Sequence, residues 1–474
     1  MDQPMQSLAA VIKQRLNDSP DLVIKTYRMQ ELIELTCMYL CTITDQKLVD
    51  ELVVSGLLTP YFPLQKGQDP IDWLMTAFKQ ADIKEVTGAD SCIEELLEGQ
   101  CIVALPGKRA VSVNIRKQEQ RSVAEPGTES VVRGPREGFV EDCSRNISLI
   151  RKRLKSEKLT IEEMIIGSES RTKVCLLYMR GIADAGLIDE FRKRLNAIQT
   201  DSILESAYIE EFIQDKSRTP FPQFMSTERP DAIVAKLLEG QAAIITDGTP
   251  NVLTGPITFF QSFSTSEDYY QRADIATVLR WLRMLAFVIS VFTPSLYIAI
   301  ACYHQDLLPS SMLANLASQR EGVPFPGVAE AFGMMVIFEI LREAGLRMPR
   351  ISGQAISIVG ALVLGQAAVE AGIVSAAMVI VVSLTAIANF VAPNYGFGIA
   401  QRLLQFGFMG LASVLGLFGV MCGVFVLLIH LVSLRSLGVP YFAPMAPINL
   451  SNWRDTFIRT NRPSMKRQRR KGNA

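Results

Sequence analysis

The hydrophobic positions of this chain change their pattern near residue 273. Before that point apolar residues come in short runs of strand and amphipathic-helix length; from Ile275 to Val432 they merge into long apolar stretches. WLRMLAFVISVFTPSLYIAIACY (281–303) supplies 23 residues, enough to cross a hydrocarbon core of about 30 Å. Arg280 and Arg283 at its start suit a cytosolic end, and Pro294 predicts a kink. Residues 351–392 are almost continuously apolar. As helix they would run about 63 Å, roughly two crossings, with a natural break at Glu370-Ala371-Gly372. The stretch 403–432 reads as one last span, 30 residues with room for tilt. The pattern thus predicts about four spans. A fifth at 327–347 is possible, but Glu339, Arg342, Glu343 and Arg347 form a charged stripe there at i, i+3, i+4, i+8. Such a stripe suits the interface plane or a protein-lined interior better.

The first half repeats itself. LLEGQ occurs at 96–100 and 237–241, an offset of 141; TDQKLVDEL (44–52) and ADAGLIDEF (183–191) match at an offset of 139. Each follows a strand-like run, LTCMYLCTI or KVCLLYMRGI. Two near-equal offsets over separate segments indicate a duplication. Each copy reads strand, amphipathic helix, a helix closed by LLEGQ, then a strand. Gly99 and Gly240 fit left-handed helix C-caps. The predicted fold class is therefore α/β for an N-terminal region of two repeated subdomains, followed by an α-helical polytopic membrane domain. The expected divisions are 1–120, a linker at 121–135, 136–270, a membrane domain at 275–435 and a basic tail at 436–474. Such a pair of subdomains can bind a small molecule in a cleft or serve as an assembly surface.

Charge sharpens this picture. Lys and Arg total 48 and Asp and Glu total 48, so overall charge points to no nucleic-acid partner. From Arg454 onward, eight Lys or Arg face one Asp, a charge of +7, which suits a cytosolic tail. The first residues lack an apolar core with basic flanks, so the first half is expected in the cytosol. Along the basic helix from Ser144 to Leu154, Arg145, Arg151, Lys152, Arg153 and Lys155 suit a solvated helix face, or contact with anionic headgroups. The eight cysteines are scattered and read as reduced thiols; Cys37 and Cys41 have no neighbouring ligands, so no metal site is expected. With only His304 and His430 and no nucleophile or phosphate-loop motif, the chain does not read as an enzyme, and no cofactor is implied.

Candidate chemistry lies in 351–372. As a helix, Ser357, Ala361, Gly365, Ala368 and Gly372 make a small-residue packing seam. About 140° away, Ser352, Val359, Val363, Gln366 and Glu370 make a stripe ending in an amide and a carboxylate. A carboxylate at mid-bilayer costs at least about 2.5 kcal/mol. Glu370 therefore faces a polar interior, or lies at a helix end among headgroups.

Seven ordered stretches carry a resemblance: VVRGPREGFVEDCSRNISLIRKRL (131–154), STERPDAIVAKLLEGQAAIITDGTP (226–250), SEDYYQR (266–272), HQDLLP (304–309), REGVPFP (320–326), FEILREAGLRMP (338–349) and GQAAVEAGIVSAAMVIVVS (365–383). The chain resembles the A subunit of the GerA-type spore germinant receptors, with Cys143 where the family pattern has an apolar residue. The resemblance implies a non-enzymatic receptor component in the spore inner membrane, working with a permease-like B subunit and a lipoprotein C subunit. It further implies a homo-oligomer that releases monovalent cations when nutrient binds. Alternatives are a related channel that amplifies ion release without sensing nutrient, and a secondary transporter using Glu370. The loops holding Arg133, Pro135, Glu141, Asp142, Glu228, Arg229, Pro230 and Asp231 are candidate subunit contacts, or buried turns.

Overall fold

In the computed structural model the described residues are 8–29, 33–54, 69–77, 82–105, 109–116, 126–127, 129, 131, 133–347, 365–449 and 453–460. They divide into two units. One holds the described residues of 1–214 and 226–256; the other holds 215–225 and those of 257–466. Residues 257–270, expected at the end of the second subdomain, instead pack with the helical unit, because Phe259, Phe260 and Phe263 are buried in its core. The proline-punctuated loop after 215 does the same through Phe221.

The first unit contains the duplication. Strands β1 (Leu22–Met29), β2 (Ile33–Leu40), β3 (Ile83–Thr87), β4 (Cys101–Ala104) and β5 (Arg109–Val113) form a sheet in the order β1-β2-β4-β5-β3. Strands β6 (Leu159–Ile166), β7 (Thr172–Met179), β8 (Met225–Thr227), β9 (Ala242–Thr246) and β10 (Val252–Gly255) follow the corresponding order β6-β7-β9-β10-β8. Helices α1 (Leu8–Arg15), α2 (Pro70–Ala77) and α3 (Ala89–Leu97) belong to the first copy. The second has α4 (Cys143–Arg153), α5 (Ala185–Asn196), α6 (Ser206–Ile213) and α7 (Pro230–Leu238). On β2, Leu35, Cys37 and Tyr39 pack with Trp73 of α2, while Met38 and Leu40 pack with Ile12 and Ile93 of α1 and α3. Because strand side chains alternate, covering both faces demands a near-continuous apolar run. Cys37 thus lies within a strand and Cys41 just past its end.

LLEGQ closes its helix in the same way in both copies. Gly99 (φ +84°) and Gly240 (φ +90°) are left-handed, and Gln100 and Gln241 donate their amides to the carbonyls of Glu95 and Lys236, both at 3.1 Å. This is the Schellman arrangement. A Cβ on either glycine would lie 3.0 Å from a carbonyl oxygen, of Ile43 in one copy and Ile182 in the other.

Arg151 is not on a solvated face. It is 1% exposed, and its guanidinium donates Nε to Asp21 Oδ2 (2.6 Å) and Nη2 to Asp21 Oδ1 (3.0 Å) and Ser19 (2.8 Å). Arg15–Glu157, Asn17–Thr160 and Lys155–Glu98 also join the two copies.

The second unit is helical: α8 (Ala273–Cys302), α9 (Ser310–Arg320), α10 (Gly327–Arg347), α11 (Ala376–Phe390) and α12 (Tyr395–Ser433), with a helical segment at 365–370. Contacts climb α8 and α12 in step: Phe287 on Phe397 (5.4 Å), Ser290 with Gln401, Phe292 on Phe408 (4.7 Å) and Tyr303 with Ser413. The first arm of α12 therefore runs parallel to α8.

The single span expected at 403–432 is instead a reversal. Gly416 has φ +60° and ψ −140° inside α12. Beyond it, a Cβ on Gly423 would lie 2.6 Å from the Phe408 ring. In a continuous helix residues 408 and 423 stand about 22 Å apart. The chain folds back at Gly416 into two arms, 395–415 and 417–433. Only glycine fits there: a Cβ would lie 2.7 Å from His304 Cε1.

Among the described residues two stretches, Ala273–Tyr303 and the folded-back Tyr395–Ser433, are long and apolar enough to cross a membrane, and Ala376–Phe390 is a shorter apolar helix. Their outward positions are apolar: Leu285 and Val288 on α8, Ile380 and Ile387 on α11, Val414, Phe425 and Ile429 on α12. Water gives no reason for such a surface, whereas a lipid environment does.

Candidate functional site

Among these apolar exteriors the helical unit keeps a polar interior. Gln401 is 1% exposed and donates Nε2 to Ser290 Oγ. One turn on, fully buried Gln405 accepts Asn389 Nδ2 at 3.2 Å and donates toward Met335 Sδ at 3.3 Å. Next to them Glu339 of α10 pairs with Arg342 (2.6 Å) and lies 4.0 Å from Arg402 of α12. Buried amides and charges in an apolar helical unit are costly unless paired, and persist where they hold helices in register or face a polar path.

This location bears on the charged stripe. Glu339 and Arg342 are 23% and 15% exposed in their side chains, and Glu339 reaches toward Arg402 of α12, so that part of the stripe lines a protein interior. Glu343 is exposed; Arg347 ends the helix.

Of the expected pore-facing stripe, Ser352, Val359 and Val363 lie outside the described residues. Gln366 and Glu370 do share a face: Gln366 Nε2 donates to Glu370 Oε1 at 3.0 Å, and both are exposed. Glu370 is in the last turn of its helix, where the macrodipole disfavours a carboxylate. The packing seam is shorter than expected. Ser357 and Ala361 lie outside the described residues, while Gly365 is buried, with its Cβ position 3.2 Å from Val379. Ala368 is half-buried. Gly372, with φ +65°, ends the helix instead of extending the seam: its amide reaches Val369 O (3.0 Å) and that of Ile373 reaches Ala368 O (2.9 Å).

A second polar junction joins α10 to α11. Glu330, 3% exposed, accepts both the amide and the hydroxyl of Ser375 on Oε1, each at 2.6 Å. Ser375 is the N-cap of α11, its hydroxyl accepting the Met378 amide at 3.3 Å. Sequence reasoning passed over Glu330, Gln401, Arg402 and Gln405. The available signal was the i, i+4 pair of glutamines, Gln401 and Gln405, at the start of the apolar run.

In the first unit the RGPREGF and ERPD segments meet as packed turns. Arg229 is 3% exposed and donates to Asp231 (2.7 Å) and toward Pro135 O (3.4 Å); Pro230 opens α7. The Phe139 amide reaches Glu228 O at 2.7 Å, and the Gly248 amide reaches Glu141 O at 2.8 Å. Asp142 caps α4 by accepting the Ser144 amide at 2.8 Å. Arg133, Glu141 and Asp142 remain exposed, whereas Arg229, Pro230 and Asp231 are buried. Beside them, burial pushes the Glu129 carboxyl up to about 7, against the Thr227 hydrogen bond and the charge of Arg229.

Comparison with known proteins gives this arrangement its context. Residues 10–471 match the family described as Bacillus/Clostridium GerA spore germination protein. The chain belongs to this family. It is 43% identical to spore germination protein KA of Bacillus subtilis over 95% of this chain and 83% of that one. To spore germination protein GerLA of Bacillus cereus it is 39% identical, over 96% and 93%. A crystal structure of the N-terminal domain of the A subunit of the Bacillus megaterium spore germinant receptor GerK3 aligns at 29% identity and TM-score 0.43, over 53% of this chain and 94% of that one. The family assignment covers both units, so the polar interior belongs to a spore germination protein associated with membranes.

Proposed function

We propose that this protein is the A subunit of a nutrient-gated germinant receptor, and that copies of it assemble into a cation-conducting pore in the spore inner membrane. It is a non-enzymatic component. Its N-terminal unit and basic tail face the cytosol, and it acts with a permease-like B subunit and a lipoprotein C subunit. The observation that carries the reading is the Gln366–Glu370 pair. It is a carboxylate and an amide on one exposed face, at a helix end beside a buried seam glycine. A ring of such carboxylates around an axis favours cations by charge. Val359 and Val363, which lie outside the described residues, would supply an apolar constriction that gates by dewetting.

The test is ion release from spores carrying variants of this chain. Val363→Ala is expected to leak monovalent cations without nutrient, and Glu370→Gln to slow nutrient-triggered release. Unchanged retention and release in normally assembled receptors overturn the pore assignment. Flux through vesicles separates a channel, which does not saturate, from a transporter using Glu370, which does.

A further inference from the structure

The Glu330–Ser375 junction has an incomplete coordination shell. Glu330 Oε1 holds two donors, yet Oε2 is buried and has no partner among the described residues. The hydroxyl of Tyr297 of α8 is also buried and without a hydrogen-bond partner among the described residues, and it lies near Ser375 and Glu330. The other titratable groups around Tyr297 are Arg320 and Cys302. The Arg320 guanidinium packs against Gly327, and among the described residues no ion pair joins it to Glu330. Three helices, α8, α10 and α11, thus bring a carboxylate oxygen, a phenolic oxygen and a hydroxyl oxygen to one buried place.

A buried ionised carboxylate with a free oxygen is strongly unfavourable unless its charge is matched. The N-terminal amide of α11 supplies only part of a positive charge, and it serves Oε1. All three donors are hard oxygen atoms, which select hard cations over thiophilic metals. One carboxylate balances one positive charge, and no group of three or more His, Cys, Asp or Glu gathers among the described residues, so the set does not suit a divalent ion. We propose that Glu330, Tyr297 and Ser375 form a binding site for a single monovalent metal cation of the sodium or potassium class, tying α8, α10 and α11 together. This deepens the cation-conducting reading and rests on it for its biological meaning, but the site itself does not require conduction.

The test uses the full chain in lipid nanodiscs, melted in sodium, potassium or N-methylglucamine chloride at equal ionic strength. At a cation concentration ten times Kd the melting temperature of the helical unit is expected to rise by about 3 °C over N-methylglucamine. Glu330→Gln is expected to abolish the rise and Tyr297→Phe to reduce it. A wild-type melting temperature identical in all three salts overturns the site. So does a Glu330→Gln variant that keeps the cation response, or whose stability matches the wild type in every salt, which marks a protonated carboxyl in a purely structural junction. Should Glu330→Gln fail to fold, the wild-type salt response and Tyr297→Phe still decide. Flux through the same preparation in vesicles is read separately: absent flux with an intact cation response tells against the pore and not against the site.

Discussion

At the scale of single residues, the sharpest constraints are places where one atom more or one partner fewer has a calculable cost. Gly416 adopts φ +60°, ψ −140°, and a Cβ would meet His304 at 2.7 Å. A side chain there pays about 1–3 kcal/mol in backbone strain before any clash. Gly416→Ala is therefore expected to lower the melting temperature of the detergent-solubilised chain by several degrees. Gly410→Ala, whose Cβ meets nothing within 4 Å, serves as the matched control and should leave it level or raised. Arg151 makes a different kind of constraint. Burial pushes the Asp21 carboxyl up, but the charge and hydrogen bonds of Arg151 outweigh it, with Ser19 and Thr42 assisting, and hold the carboxyl below its ordinary value. A depressed folded-state value stabilises above the unfolded carboxylate range, near 3.9, and that stability is lost as pH falls through the lower folded value. Arg151→Met leaves Asp21 buried and unpaired, at an expected cost of about 3–5 kcal/mol near neutral pH. Thermal melts of the two forms between pH 3 and 7 should show the gap narrowing in acid; a constant gap would mean that the pairing charge is not its source.

At the scale of elements, the duplication was readable because it rests on local chemistry. LLEGQ needs a glycine with positive φ to turn the chain from helix to strand, and both copies retain it at Gly99 and Gly240. Both glycines also meet an isoleucine carbonyl at 3.0 Å, of Ile43 or Ile182. Gly99→Ala and Gly240→Ala are therefore expected to destabilise by similar amounts, about 1–3 kcal/mol each, in denaturant unfolding of the N-terminal unit followed by far-ultraviolet circular dichroism. A large effect at one and none at the other would break the equivalence. What the sequence did not disclose is which polar residues of the helices turn inward. Gln401 and Arg402 stand just before the apolar run of 403–432, where composition suggests a solvated helix start. Only the packing of α8 and α10 against α12 makes them interior. Arg151 was hidden for the same reason: its neighbours Lys152 and Arg153 look like a solvated face, and its partner Asp21 is 130 residues away.

At the scale of the whole molecule, the hairpin changes how the last apolar segment is counted. Read as one run, 403–432 crosses once and sets its two ends on opposite sides. Folded at Gly416, it has arms of about 32 and 26 Å, each close to a hydrocarbon core of about 30 Å. The ends of the arms then meet: Phe397 and His430 both contact Phe221, and Thr219 Oγ1 lies 2.8 Å from His430 Nε2. The sequence offered no sign of this, since Gly416 is one of many glycines in the run and its role depends on Tyr303 and His304 from another helix. Single cysteines at Tyr395 and Arg435 are therefore expected to react with a membrane-impermeant maleimide from the same side. A cysteine at Leu415 should react only from the other, each reading taken against the labelling of the unsubstituted chain. Opposite sidedness at 395 and 435 would restore the single crossing and place the tail across the membrane from the start of α12.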